Sequence, residues 1–333
     1  VRILPERYSK SYLDWLGEKR DWPVSRQLWW GHRIPIWHIE NVDEQDLTGA
    51  FADTSTVSWS SDGAGGWYVC SSDEDPGCES IAGQPLVRDP DVLDTWFSSA
   101  LWPHSTLGWP DSTQDLSCFY PTTTLVTSRD IITLWVARMV IMGIFDMEEV
   151  PFHDVAIHPK ILDRYGETMS KSKGNGVDPL DVIEALGADA LRFGMTSMAT
   201  ETQDVRMPVE FQCPNCSVRI DQTVHNRMQT RITCQKCGKS FRTQWARSEE
   251  DLSLPRGPAL SERFESGRNF SNKLWNATRF VLMNLDGFDG ECLIHEGDDS
   301  FASLEDRWLA SRLASVSQAV TRAIDNYKFA EAA

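Results

Sequence analysis

Two stretches of this chain hold residue types whose spacing lets them do chemistry. The first is Thr168-Met169-Ser170-Lys171-Ser172-Lys173-Gly174-Asn175-Gly176-Val177-Asp178-Pro179. Lysine ammonium groups, serine hydroxyls and the N–H groups of a glycine-rich backbone, set just ahead of a helix start, make a cradle suited to a polyphosphate. Lys-Ser-Lys by itself reads as an ordinary solvated loop, so the weight rests on the whole string. The second stretch holds Cys213-Pro214-Asn215-Cys216 and Cys234-Gln235-Lys236-Cys237, two C-x-x-C pairs separated by seventeen residues. That spacing matches a tetrahedral four-thiolate zinc site, where protein fills every coordination position and the metal is structural. A redox pair or an iron–sulfur cluster is the competing reading. Around these cysteines Arg219, Arg227, Arg231, Lys236, Lys239, Arg242 and Arg247 stand against the single local acid Asp221. Such a patch is either a solvated surface or one that contacts phosphates.

The elements that must position these residues alternate. Thr122 to Val126 is a β-branched run of strand length, Asp130 to Phe145 an apolar run of helix length, and Val155-Ala156-Ile157 a second short strand. Asp178-Pro179 then opens a helix, with Asp as N-cap and proline at the first helical position, and Gly187 closes it. Upstream, Asp89-Pro90-Asp91 signals a turn and cap before a short helix or a strand–helix junction over 92–101, with Pro103 as its expected end. Alternation of this kind favours an open parallel α/β sheet whose ligands sit at the carboxyl ends of the strands. From Tyr8 to Trp37 the density of tryptophan and arginine predicts a packed, polar-lined surface, while residues 40–85 read as loops with short strands. Beyond Pro258, Phe270, Leu274, Ala277, Val281 and Leu285, and then Leu309, Leu313, Val316, Val320, Ile324 and Tyr327, recur at helical spacing and predict an α-helical bundle.

With 333 residues, 41% of them hydrophobic, the chain has material for two or three domains. Its formal charge of -17 argues against holding nucleic acid through bulk positive charge. No run approaches the roughly 18 apolar residues of a membrane span, and no secretory sequence opens the chain. A cytoplasmic protein with reduced thiols is therefore expected, and Cys70, Cys78, Cys118 and Cys292 read as scattered single residues. The chain starts at Val1 and stops in a stretch, Asp325 to Phe329, that reads as helix interior. Both ends look cut, which predicts an internal piece of a longer protein.

The string from Thr168 to Pro179 resembles the KMSKS motif of the class I aminoacyl-tRNA synthetases. Within that class, Ser25-Arg26-Gln27-Leu28-Trp29-Trp30-Gly31-His32-Arg33-Ile34-Pro35, the stretch from Asp91-Val92-Leu93-Asp94-Thr95-Trp96 to Trp102-Pro103, and Phe270-Ser271-Asn272-Lys273-Leu274-Trp275-Asn276-Ala277 are similar to the valyl-tRNA synthetase family. The resemblance covers most of the chain. It implies the second half of a class I Rossmann-like nucleotide-binding fold over 86–207, preceded by a connective segment over 1–85 that follows the editing domain. A zinc-ribbon insert over 208–247 and the start of a helical anticodon-binding domain over 248–333 complete it. The activity it implies is ATP- and magnesium-dependent activation of valine and its attachment to tRNA(Val), in a monomer.

By the same resemblance Lys171, flanked by Ser170 and Ser172, stabilises the pyrophosphate as the valine carboxylate attacks the α-phosphorus. Lys173, Met169, Asp130 and His158 would contact ATP. Trp96, Ile131 and Trp135 would wall the valine pocket, with Ile131 and Trp135 four apart on one helix and so on one face; from the pattern alone all three read as core. Asp130 also reads as an N-cap, and His158 as a structural histidine after a strand. The sequence departs from the family at Thr168, where the motif has its first lysine, and at Ser128 and Arg129, where a glycine and an aromatic precede the aspartate. The cysteine insert is a further departure. The His-x-Gly-His string of the class is nowhere in the chain, so this piece alone is expected to be inactive. Two other readings stay open: a synthetase for isoleucine, differing only in the pocket, and a non-catalytic tRNA-binding module or paralogue.

Overall fold

Four threonines, a leucine and a valine make Thr122–Ser128 a strand, with Leu125 and Thr127 turned inward and Val126 outward as the two-residue period requires. In the computed structural model, which describes all residues except 19, 74, 202 and 288–302, this strand edges a three-stranded sheet. The order is Arg2–Leu4, Phe152–His158, Thr122–Ser128. Cys292 lies outside the described residues. The chain divides into two units, Val1–Val155 and Ala156–Ala333, a boundary inside the central strand of that sheet.

In the first unit the expected helix over 130–145 is three different helices. Arg129–Ile131 is a 3-10 turn, Ile132–Val136 a π-helix, and only Ala137–Met147 is α-helical. A continuous apolar run carries no period that separates these winding states, so composition could not reveal the change. The strand–helix junction forms as Val92–Leu93 and then Thr95–Ser105, but Pro103 lies inside the helix rather than ending it. Residues 36–88 are more regular than their composition suggests. Val57–Ser61, Gly66–Ser71, Ile36–Glu40 and Val87–Arg88 make an antiparallel sheet over Trp37, Ile39, Leu47, Phe51 and Val69. The glycine-rich stretch is its hairpin turn, where Asp62 accepts from the backbone N–H groups of Ala64 and Gly66 and Gly63 and Gly65 take positive φ. The tryptophan-dense segment is not packed throughout, since Trp29 and Trp30 are 98% and 84% exposed.

The second unit holds a parallel pair, Ile161–Leu162 with Val205–Arg206, and the helices Pro179–Leu186 and Ala188–Met198 around Val182, Met207, Leu260 and Phe264. Asp178 accepts from Leu180 N at 3.0 Å with Pro179 behind it, and Gly187 follows with φ 97°. The cysteine segment builds a three-stranded sheet, Arg219–Asp221, Glu210–Gln212, Ala259–Leu260, and a hairpin of Arg231–Thr233 with Ser240–Arg242. Helices Glu265–Asn284 and Leu304–Asp325 follow.

Their apolar stripes do not meet in a core among the described residues. Phe270 stacks on Phe193 at 4.5 Å, but Leu274, Val281, Leu309 and Leu313 are exposed. The last long helix stops at Asp325, where a helix interior was expected. Tyr327 takes φ 60°, its N–H reaching Ile324 O and the N–H of Lys328 reaching Ala323 O at 2.8 Å. That is a Schellman cap with tyrosine in the place glycine usually marks, so the stop signal is absent from the sequence. Among the described residues no helix is long and apolar enough to cross a membrane.

Candidate functional site

The lysine loop is a single turn with a fixed base. Ser170 N donates to Asn175 Oδ1 at 2.9 Å, and Asn175 Nδ2 donates to Asp163 Oδ2 at 2.8 Å, both side chains being buried. Asp163 also accepts from the N–H groups of Tyr165 and Glu167. Burial works against its charge, but these donors and Arg227 outweigh it and hold the Asp163 carboxyl below the usual carboxylate range. Gly174 closes the turn with φ 67°, its N–H reaching the carbonyls of Ser170 and Lys171.

Between these fixed ends the chemistry-bearing residues are exposed. Ser170 Oγ and Ser172 Oγ lie 3.1 Å apart, and Lys173 N donates to Ser170 Oγ at 3.3 Å. Lys173 Nζ pairs with Glu167 at 3.4 Å, whereas Lys171 is exposed and has no partner among the described residues. Met169 turns its side chain into the apolar clusters on both sides of the loop base. Thr168 bridges to Leu162 in antiparallel fashion.

The four thiols converge. Cys213, Cys216, Cys234 and Cys237 place their sulfurs within 4.8 Å of one another. Cys213 Sγ to Cys237 Sγ is 3.8 Å and Cys216 Sγ to Cys234 Sγ is 3.6 Å. Four sulfurs at about 2.3 Å from a central zinc would stand about 3.8 Å apart, so the donor set fits the ion in kind and in size. The fit comes from two copies of one knuckle. Ser217 N reaches Cys213 O at 2.9 Å and Gly238 N reaches Cys234 O at 2.8 Å, with Ser217 at φ 58° and Gly238 at φ 71°. Burial opposes charge on Cys213, but the N–H groups of Asn215 and Cys216 and the neighbouring thiols outweigh it and bring that thiol down to about 7.

The basic patch around the thiols is largely consumed by acids that the local sequence does not contain. Arg219 pairs with Glu210 and Glu265, Arg227 with Glu167 and Asp163, and Arg231 with Glu250 and Asp251. Arg242 donates to Leu254 O at 3.0 Å. Lys236, Lys239 and Arg247 remain without a partner among the described residues.

The proposed pocket residues lie in the first unit. Trp96, Ile131 and Trp135 are half-buried, which is not the burial of core residues. Ile131 ends the 3-10 turn and Trp135 sits in the π-helix, so the α-helical spacing argument for a shared face does not apply to them. Trp135 donates its indole N–H to Ser99 O at 2.9 Å, and its ring neighbour is Trp102, at 6.1 Å, with no ring contact to Trp96. Asp130 is exposed within the 3-10 turn, 4.0 Å from Arg129, and caps no helix. Ser128, beside it at the strand end, has a buried hydroxyl without a hydrogen-bond partner. His158 is exposed at the end of its strand, with Nδ1 donating to Pro159 O at 3.0 Å.

Sequence reasoning missed Asp163, Glu167, Gln222 and Arg227 as supports of the loop. Asn175, already inside the string, was the signal available for the first of them.

Comparison with known proteins places the chain in a family. The chain is 57% identical to a valine--tRNA ligase of Rhodopirellula baltica over 351 aligned residues, covering 100% of this chain and 34% of that protein. It is 40% identical to the valine--tRNA ligase of Carboxydothermus hydrogenoformans, covering 100% of this chain and 29% of the relative. The chain thus spans about a third of the length of these relatives. A LeuRS of Agrobacterium radiobacter K84, solved in ternary complex with tRNA and LeuAMS, shares the fold with a TM-score of 0.55 at 19% identity, over 94% of this chain and 34% of that one. The family model described as tRNA synthetases class I (I, L, M and V) matches residues 1–208, ending just before Cys213. With that match over more than half its length, the chain belongs to the class I tRNA synthetases of the isoleucine, leucine, methionine and valine group.

Proposed function

We propose that this chain is the ATP-closing part of a valine--tRNA ligase, which activates valine with ATP and magnesium and transfers it to tRNA(Val). The observation that carries the reading is the loop itself: Lys171 stands exposed, with no partner among the described residues, on a turn whose two ends are pinned by Asn175 and Asp163. A fixed base with a free ammonium group at its crest meets charge as it develops on the pyrophosphate, at little reorganisation cost. In this reading Ser170 and Ser172 supply hydroxyl donors, and Lys173 joins them when it leaves Glu167. Met169 contributes through its backbone, since its side chain is spent on the loop base. Asp130 and His158 are the remaining nucleotide contacts.

Trp96, Ile131 and Trp135 are the valine wall, which a 57% identical valine--tRNA ligase supports over a purely structural role. Zinc held by Cys213, Cys216, Cys234 and Cys237 supplies cross-linking and no chemistry on substrate. Residues 1–85 act as the connective segment, 86–207 as the catalytic half, 208–247 as the zinc ribbon and 248–333 as the start of the anticodon-reading helices. The enzyme works as a monomer in the cytoplasm, where tRNA and ATP are found.

The test is Lys171→Ala in the intact enzyme. Valine-dependent ATP–pyrophosphate exchange should fall by about a hundredfold, the usual cost of one transition-state donor. Near-normal exchange removes Lys171 from the mechanism and the reading with it.

A further inference from the structure

The segment linking the two thiol pairs lies on the lysine loop. Gln222, 6% exposed, donates its Nε2 to the carbonyl of Gly174 at 3.3 Å. A Cβ placed on Gly174 would stand 2.6 Å from Met228 Cγ and 3.2 Å from Arg227 O, so the link is in contact with the loop backbone where it turns. Arg227 reaches Glu167 at 3.4 Å and Asp163 at 3.9 Å, the acids under the loop, and Asp221 pairs with Arg164 at 2.9 Å. Met169 and Val177, one on each side of the turn, pack against the cluster that holds Phe211, Phe241 and the buried thiols Cys213 and Cys234.

The link has its own internal order. Thr223 N donates to Asn226 Oδ1 at 2.7 Å, Asn226 Nδ2 donates to Asp221 O at 2.9 Å, and Thr243 Oγ1 donates to Gln229 O at 2.6 Å. Both its ends enter knuckles, at Cys216 and Cys234, whose sulfurs lie 3.6 Å apart. An ion that joins these thiols therefore closes the link into a loop of fixed span, and whatever the link touches is held with it.

We infer that the cysteine module is a metal-closed brace for the lysine loop, in which Gln222 and Arg227 are positioning residues that hold the turn carrying Lys171. Its catalytic consequence rests on the reading of Lys171 given above; the bracing itself does not. A loop held in register before ATP arrives has less order to acquire in the activation step, and small displacements of such groups are costly in rate.

Two measurements on the intact, zinc-loaded protein test this. Limited trypsin digestion, followed by mass spectrometry, reads cleavage after Lys171 and Lys173, with zinc content measured on the same samples. Gln222→Ala and, separately, Arg227→Gln should speed those two cleavages by about fivefold or more while cleavage after Arg307 is unchanged. Zinc removal by a chelator should do the same, and zinc return should reverse it. Unchanged cleavage in both variants with zinc retained overturns the brace, and so does zinc loss that leaves the loop as protected as before. In the exchange assay the same variants should lower kcat about tenfold with the KM for valine unchanged. If Lys171→Ala leaves exchange intact, the catalytic reading fails while the digestion still decides the brace.

Discussion

Trp135 donates its indole N–H to the carbonyl of Ser99, the backbone acceptor that Pro103, four residues further along the same helix, has no N–H to satisfy. The proline is tolerated inside Thr95–Ser105 because a side chain from the π-helical segment supplies the missing donor. That contact fixes an indole proposed to wall the valine pocket to the helix that carries Trp96.

The relationship predicts a thermodynamic cycle. Trp135→Phe keeps the aromatic bulk but leaves the Ser99 carbonyl unpaired, which should cost about 1–3 kcal/mol. In a Pro103→Ala background the helix provides its own N–H, so the same substitution should cost measurably less. Chemical denaturation of the four proteins measures the coupling. Strict additivity would mean that Trp135 does not serve the carbonyl freed by Pro103.

Acid stability should report on the base of the lysine loop. Asp163 has its folded pKa depressed, so its contribution is present above the unfolded carboxylate value of about 4 and is lost as pH falls through the folded value. Asn175→Ala removes one of its donors while the burial that opposes charge remains, so the folded pKa rises toward the unfolded value and the part of the stability that depends on this carboxylate shrinks. The variant should be about 1–3 kcal/mol less stable near neutrality, and the gap to the parent should narrow on acidification, because the variant has less carboxylate stabilisation to lose. Melting temperatures measured across the acid range test this; curves that run parallel to the parent's would show that Asn175 does not hold the Asp163 charge.

The loop and the thiols were legible because their signal is local. Asp178-Pro179 and Gly187 delimit a helix by chemistry that neighbours supply, and two C-x-x-C pairs bring their own geometry. What sequence could not give was pairing at a distance. Arg219, Arg227 and Arg231 look like a free basic patch until Glu265, Glu167 and Glu250 arrive from elsewhere in the chain. Winding state was equally hidden: the sequence from Ile132 to Val136 reads the same whether it winds as α or π. Tyr327 makes a helix stop that relies on its φ of 60° rather than on glycine.

Metal content should follow the thiols. About one zinc per chain is expected, and Cys234→Ala, which removes a buried ligand, should abolish retention and lower the melting temperature. Because the ligands must be thiolates, zinc should also be released as pH falls. Metal analysis and a zinc-sensitive dye follow both. A brown protein with iron and labile sulfide would replace zinc with a cluster.

Selectivity gives the sharpest test of the pocket. Trp96 is half-buried at the start of Thr95–Ser105, and replacing its indole with a methyl opens far more space than the one methylene that separates isoleucine from valine. One methylene in an apolar pocket is worth about 1–3 kcal/mol of discrimination. If Trp96 walls that pocket, Trp96→Ala in the intact enzyme should narrow the valine-over-isoleucine ratio of kcat/KM in pyrophosphate exchange by about tenfold or more, chiefly by admitting isoleucine. A structural tryptophan would behave differently, because lost packing lowers activity towards both amino acids together and leaves the ratio where it was. The ratio, not the absolute rate, therefore decides whether Trp96 touches substrate.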